Sequence, residues 1–448
     1  MYVRSALNQT FAVVTLFVVA LIGAAAMSPA AAATPGDLAW MQSWSPGGAF
    51  EDYGRMELVR APGGDLVVGA QGDHDSAQPP FVTRTLVARY APSGARRWAL
   101  VLPATAERVA FAGVAVDRQG NAVVTSHQLP AKWVTTKLNS SGKRVWTKVR
   151  TSAKALTVTA AGEVAVDSRG NAYVVGTLAR ASTGNDVALW KYSPSGALKW
   201  TRYLSGFAAS DDRGVALGVD GSGRVYVTGT VGGFFSGTDI VVACFTGAGT
   251  QVWTRTWGGD ALGSDWPTDL AVSGAGVAVA CISYGADGHA RGVILTASLN
   301  LAEGVVLSEQ VTSLSGKDLW WRSVAINAVG DIAVGGSAYE GPEISFAYAR
   351  FRLTAPDTVS YFKSPASNAE CSDVWLTADS TVLAAGVWLS GPLELDLCVL
   401  SDPTAGENWR SILVTSNWQE GRAILATNAA VYVAGRGGSS LALWKYER

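Results

Sequence analysis

With 448 residues, 48% of them hydrophobic and only 16% charged, the chain is long enough for several cores or for one large repeat assembly. A formal net charge of −1, with no basic run and no acidic tail, speaks against nucleic acid or anionic lipid as partner. Fifty glycines strewn among Val, Thr, Trp and Tyr point to an all-β protein of many short strands.

The first 33 residues differ in kind. Arg4 supplies a short basic region, Phe11 to Ala26 an apolar run, and Ser28 to Ala33 the small residues of a cleavage site. This pattern reads as a secretory signal over 1–33, cut after Ala33. The other reading is a retained membrane anchor, since the run lies near the lower length limit for crossing a bilayer. Cleavage would leave 34–448 as one domain, secreted, periplasmic or on the cell surface, with no membrane span.

A unit of strand, Gly turn and strand then recurs. It begins at Glu57 (ELVRAPGGDLVVGA), Val114 (VAVDRQGNAVVTS), Val164 (VAVDSRGNAYVVG), Leu217 (LGVDGSGRVYVTG), Leu270, Val324, Val374 and Ile424. Eight units about fifty residues apart match four-stranded propeller blades. Seven blades is the alternative, because the units after Asp265 diverge. The second half of the early units is a strand, a Gly turn and a strand led by Trp98, Trp146, Trp200 or Trp253.

The chain ends complete the pattern. Ala442 to Tyr446 repeats Ala188 to Tyr192 (ALWKY) and then stops short of a fourth strand. PGDLAW, ending at Trp40, aligns with PSGALKW, ending at Trp200. The first strand should therefore complete the last blade and remove the open sheet edges.

VAVDSRGNAYVVGT with DVALWKYSPSGALKW, and VALGVDGSGRVYVTGT with DIVVACFTGAGTQVWTRTWGG, resemble the bacterial beta-propeller repeat called SBBP. Its units carry Asp-x-x-Gly-Asn before an apolar strand and Ser-Pro-Ser-Gly before a Trp. The resemblance is closest from Ala161 to Gly259, and because that family is defined by fold it implies no reaction. A fainter similarity links the chain to quinoprotein-like propellers and to the outer-membrane assembly propeller. The vicinal cysteines of many quinone-cofactor dehydrogenases are absent here.

Several residues take structural roles in this reading. Asp117, Asp167 and Asp220 should accept backbone N–H groups two and three residues on, with Gly120, Gly170 and Gly223 at positive φ. The recurrent Trp should pack between blades. Cys244, Cys281, Cys371 and Cys398 are too widely spaced for a zinc site, and those in strands read as small buried hydrophobes. His74, His127 and His289 fall in separate loops after second strands and form no cluster.

The loops leading into each innermost strand should gather at the channel mouth, where propellers bind. They carry Asp52, Glu107, Asp211, Asp212, Asp265, Asp318, Glu370, Asp373 and Glu420, accompanied by Tyr53, Arg213, Trp266, Trp320, Trp321, Arg322, Trp418 and Arg422. Such a ring could hold a carbohydrate, a cationic partner or a divalent cation such as calcium, and no other cofactor is expected. The bland alternative is that each acid caps a turn or pairs with a neighbouring Arg. No nucleophile elbow, phosphate loop or zinc-protease helix appears. The expectation is a monomeric exported propeller that binds a protein or carbohydrate. The alternative is a secreted polysaccharide hydrolase or lyase working at the acidic, Trp-rich mouth.

Overall fold

The computed structural model describes residues 37–45, 55–73, 83–103, 108–153, 162–180, 184–206, 211–233, 237–259, 263–298, 307–312, 317–341, 343–353, 360–363, 369–391, 394–402, 409–413, 419–438 and 440–448. Among these residues all regular structure is β: thirty-two strands, numbered β1 to β32 in chain order, and no helix. They pair as eight four-stranded antiparallel sheets.

One strand of each sheet faces the centre. These are β2 (Met56–Arg60), β6 (Val109–Val116), β10 (Glu163–Val166), β14 (Arg213–Val219), β18 (Asp265–Val272), β22 (Asp318–Ile326), β26 (Ala369–Leu376) and β30 (Gln419–Ala426). Each lies against the next, and β30 lies against β2, so the blades close into a ring around a channel. Blades are counted here from the one that begins with β2. Apolar side chains fill the spaces between neighbouring sheets, as in the cluster that joins Leu58, Val68 and Tyr90 of the first blade to Leu425, Tyr432 and Leu443 of the last.

The closing strand is the first one. β1 (Leu38–Trp44) runs antiparallel to β32 (Ser440–Glu447), with Met41 opposite Trp444 and Trp44 opposite Leu441. The Glu447 N–H donates to the Asp37 carbonyl at 3.0 Å, extending the ladder past the strand.

The repeated turns show why these segments form hairpins. Asp167 Oδ1 accepts the N–H groups of Arg169 and Asn171, both at 2.9 Å. Its Oδ2 accepts Asn171 Nδ2 at 2.7 Å and the Tyr173 hydroxyl at 3.0 Å. Gly170 takes φ 79°, the left-handed region open to glycine. Asp117 and Asp220 repeat the arrangement. The carboxylate thus spans the turn to residues two and four ahead, not two and three as the sequence suggested, because the acid sits at the end of the first strand and closes onto the start of the second.

The Trp residues do pack between blades. The Trp146 indole donates to the Pro194 carbonyl of the next blade at 3.0 Å. Its ring lies so close that a Cβ built on Gly196 would meet it at 2.9 Å. Trp98 covers Gly142 and Trp200 covers Gly249 in the same way. Trp40, delivered by β1, covers Gly94 of the first blade, so the inter-blade contact continues across the seam.

Candidate site at the channel mouth

Going round the ring, the side chain at one equivalent position of each innermost strand is Glu57, Gly113, Glu163, Ala216, Asp269, Ser323, Asp373 and Ala423. An acid alternates with a small residue. Each acid reaches the next blade, where it accepts a backbone N–H: Glu57 from Val114 at 2.7 Å, Glu163 from Leu217 at 2.8 Å, Asp269 from Val324 at 2.9 Å and Asp373 from Ile424 at 2.8 Å. The small residues leave the room this needs. A Cβ on Gly113 would lie 3.3 Å from Glu57 Oε2 and 3.1 Å from the Val164 nitrogen.

One cation crosses this ring. Arg55 pairs with Glu57 at 2.8 Å and Glu163 at 3.2 Å, and donates to the Gly162 carbonyl at 2.9 Å. Burial outweighs this help and pushes the Glu163 carboxyl up to about 8. Burial likewise pushes Asp373 up to about 7, against the hydrogen bonds from Ser323, Ile424 and Val374. Glu57 and Asp269 are shifted upward by the same cause.

Above the acids the strand pairing slips by one residue in six blades, skipping Ala112, Val215, Thr268, Arg322, Ser372 and Arg422. Such a bulge bends the strand and re-aims the side chain it carries. Of the six, only Arg322 and Arg422 are charged. Arg322 Nη2 pairs with Glu370 at 3.2 Å and donates to the Tyr339 hydroxyl at 2.8 Å, while Tyr339 packs on Trp320 with ring centroids 5.1 Å apart. Arg422 pairs with Glu420 at 2.7 Å. Burial pushes the Glu420 carboxyl up, against the pull of Arg422. These groups form an arc on the sixth, seventh and eighth blades. It opens on a cavity of about 1000 Å³ that is lined by Trp320, Arg322, Arg422, Arg55 and the acid ring.

The residues singled out from sequence divide into three groups. Trp320, Arg322, Glu370, Glu420 and Arg422 come together in the arc, and Asp373 belongs to the ring beneath it. A second group braces the fold. Asp212 is 1% exposed and accepts the N–H groups of Gly206 and Gly232, both at 2.8 Å. Asp265, 2% exposed, accepts that of Gly259 at 2.9 Å. Asp318 accepts that of Ala290 at 2.8 Å and meets His289 Nδ1 at 3.1 Å, while Asp211 accepts Asn185 Nδ2 at 2.7 Å. These four acids hold backbone N–H groups or neighbouring side chains within the fold. Trp321 is core, fully buried. Arg213 opens β14, and Trp266 stands exposed, edge-on to Tyr284. Asp52, Tyr53, Glu107 and Trp418 lie outside the described residues, as does His74.

Sequence reasoning missed Glu57, Glu163, Asp269 and Arg55. A usable signal was present, since the four ring acids stand 106, 106 and 104 residues apart, a period of two blades. His127 is also misplaced by the sequence reading. It lies within β7 (Ala122–Gln128), fully buried and stacked on Trp133 at 5.1 Å. Among the described residues, no three of His, Cys, Asp and Glu are grouped to hold a metal ion. Cys244, Cys281 and Cys371 are buried, and burial raises the Cys244 thiol to about 11. Among the same residues, no helix is long and apolar enough to cross a membrane.

No family model and no curated protein matches the chain. Solved structures do. Sqt1 from Chaetomium thermophilum aligns with a TM-score of 0.53 at 11% identity, covering 91% of this chain and all of that one, 100%. A polysaccharide lyase described as an ulvan lyase aligns at 0.46 and 9% identity, covering 84% and 96%. Penicillium chrysogenum alpha-L-arabinanase complexed with arabinobiose aligns at 0.39 and 10%, covering 91% and 98%. At 11% identity the likeness to Sqt1 shows a shared fold and nothing of activity.

Proposed function

We propose that this protein is an exported, SBBP-type β-propeller that works as a binding module, taking its ligand at the channel mouth. One observation carries the reading: the arc of Trp320, Arg322 and Arg422, two of them on strand bulges, around a cavity of about 1000 Å³. That volume suits a ligand, sites of this kind spanning roughly 300–1,000 Å³. An aromatic wall beside a few fixed polar groups is what such a site needs. A carbohydrate fits this chemistry best. Export rests on the composition of residues 1–33, and calcium on the acid content of the mouth.

The test is a glycan and protein-surface binding screen with the wild type and Trp320→Ala. Binding that disappears in Trp320→Ala at an unchanged melting point supports the reading. Binding equal in both proteins would remove the mouth from consideration. N-terminal sequencing of the protein recovered outside the cell, expected to start at Thr34, tests the export.

A second reading, a polysaccharide-processing enzyme, is favoured by Glu163 and Asp373, whose raised pKa values suit proton donors near neutral pH. Turnover on a polysaccharide panel, lost in Glu163→Gln, would decide for it.

A further inference from the structure

We infer that the ligand taken at this mouth is an acidic saccharide, a sugar chain bearing carboxylates of the uronic-acid kind. This rests on the reading of the mouth as a binding site. It goes further by naming what the site lacks. Three donors around the arc are buried without an acceptor: the Trp320 indole N–H, Arg322 Nε–H and Arg422 Nε–H. The nearby acids are already engaged, Glu370 by Arg322, Glu420 by Arg422 and Glu57 by Arg55. Three N–H groups of the arc thus lack an acceptor, beside the unpartnered Gln419 Oε1 of the eighth blade, and a ligand that brings oxygen acceptors would complement them.

Position narrows the class. Arg322 and Arg422 occupy the bulge of the sixth and eighth blades, with the small Ser372 at the same level of the seventh, and both line the same cavity. A planar guanidinium matches a carboxylate better than it matches a lone hydroxyl. Trp320, braced by Tyr339, lines the same cavity and offers the aromatic surface on which a sugar ring packs. The ring acids lie one residue deeper, and where ionised they would repel an anion. The charged group is thereby held at the mouth, and only uncharged parts of the ligand would point down the channel.

Titration calorimetry with three probes decides it: tetragalacturonate, the neutral galactotetraose, and poly-L-glutamate of matched charge. The expected result is binding of tetragalacturonate at least tenfold tighter than either other probe. That affinity should fall at least tenfold in Arg322→Lys and in Arg422→Lys, each melting as the wild type does. Lysine keeps the charge and loses the fork, so the pair separates geometry from net charge.

Equal binding of galactotetraose would overturn the anionic part while leaving the mouth as a sugar site. Equal binding of poly-L-glutamate, lost in the same two variants, would overturn the saccharide part. Tetragalacturonate binding unaffected by either substitution would place the acid elsewhere and overturn the inference. Failure of all three probes beside a Trp320-dependent hit in the broader screen would overturn this inference alone, and failure of both experiments would overturn the mouth reading with it.

Discussion

Glu57 of the first blade accepts the backbone N–H of Val114 of the second at 2.7 Å, and the same bond recurs from Glu163 to Leu217. Acids on alternate blades thus join the blades in pairs from inside the channel. Each bond also satisfies a strand N–H that would otherwise face a cavity.

The ring makes stability depend on pH. Glu163 keeps its proton to about 8 in the folded protein and loses it near the ordinary 4.5 when unfolded. Its contribution is therefore complete below pH 4.5 and is lost as pH rises through 8. Asp373 acts in the same direction up to about 7. Thermal melts from about pH 5 to about pH 9 should show Glu163→Gln losing less stability than the wild type over that interval. A parallel decline in the two proteins would refute the assignment.

His127 works with the opposite sign. Burial lowers its pKa to about 4, and neither ring nitrogen has a hydrogen-bond partner. Stability is present above the ordinary 6.5 and is lost as pH falls toward 4. The loss is up to about 3 kcal/mol at 1.36 kcal/mol per unit. His127→Phe keeps the stack on Trp133 and should flatten the acid side of the profile in urea unfolding.

The turn carboxylates are a third target. Asp167→Ala strips the N–H groups of Arg169 and Asn171 of their acceptor and leaves the buried Tyr173 hydroxyl alone. A cost of about 1–3 kcal/mol is expected. Asp167→Asn, which keeps an acceptor oxygen, should recover part of it. Chemical denaturation of the two variants gives the comparison.

Much of the fold was legible because a hairpin writes itself locally. Asp167, Gly170 and Trp146 each act within a turn or against the next turn, and the matching chain ends disclosed the last blade. The acid ring was harder to read, since Glu57 and Glu163 sit at the margin of the repeat and their alternation with Gly113 and Ala216 shows only across two units. Loop acids drew attention by their number, yet Asp212 and Asp265 serve the backbone. Arg322 and Arg422 were legible as residue types. The bulges that aim them arise from strand pairing, which a single strand does not encode.

Removal of the first strand addresses the seam. Without Thr34 to Trp44, the Ser440–Glu447 strand loses its outer neighbour and becomes the sheet edge, and Gly94 loses the cover of Trp40. The truncated protein should melt at least several degrees lower, about 4–8 °C per kcal/mol in a small domain and less in one of this size. Differential scanning calorimetry is the measurement, and an unchanged melting point would mean that the seam carries no load.

The pairing of Leu38–Trp44 with Ser440–Glu447 also sets an order of events in time. A ribosome delivers the first of these strands long before the second. Until Ser440–Glu447 emerges, the early strand has no companion within its own sheet, and its exposed N–H and C=O groups remain open to any passing chain. The circle is thus joined only once Ser440–Glu447 has been made, and a slowing of synthesis before that strand should show first as aggregation of nascent protein.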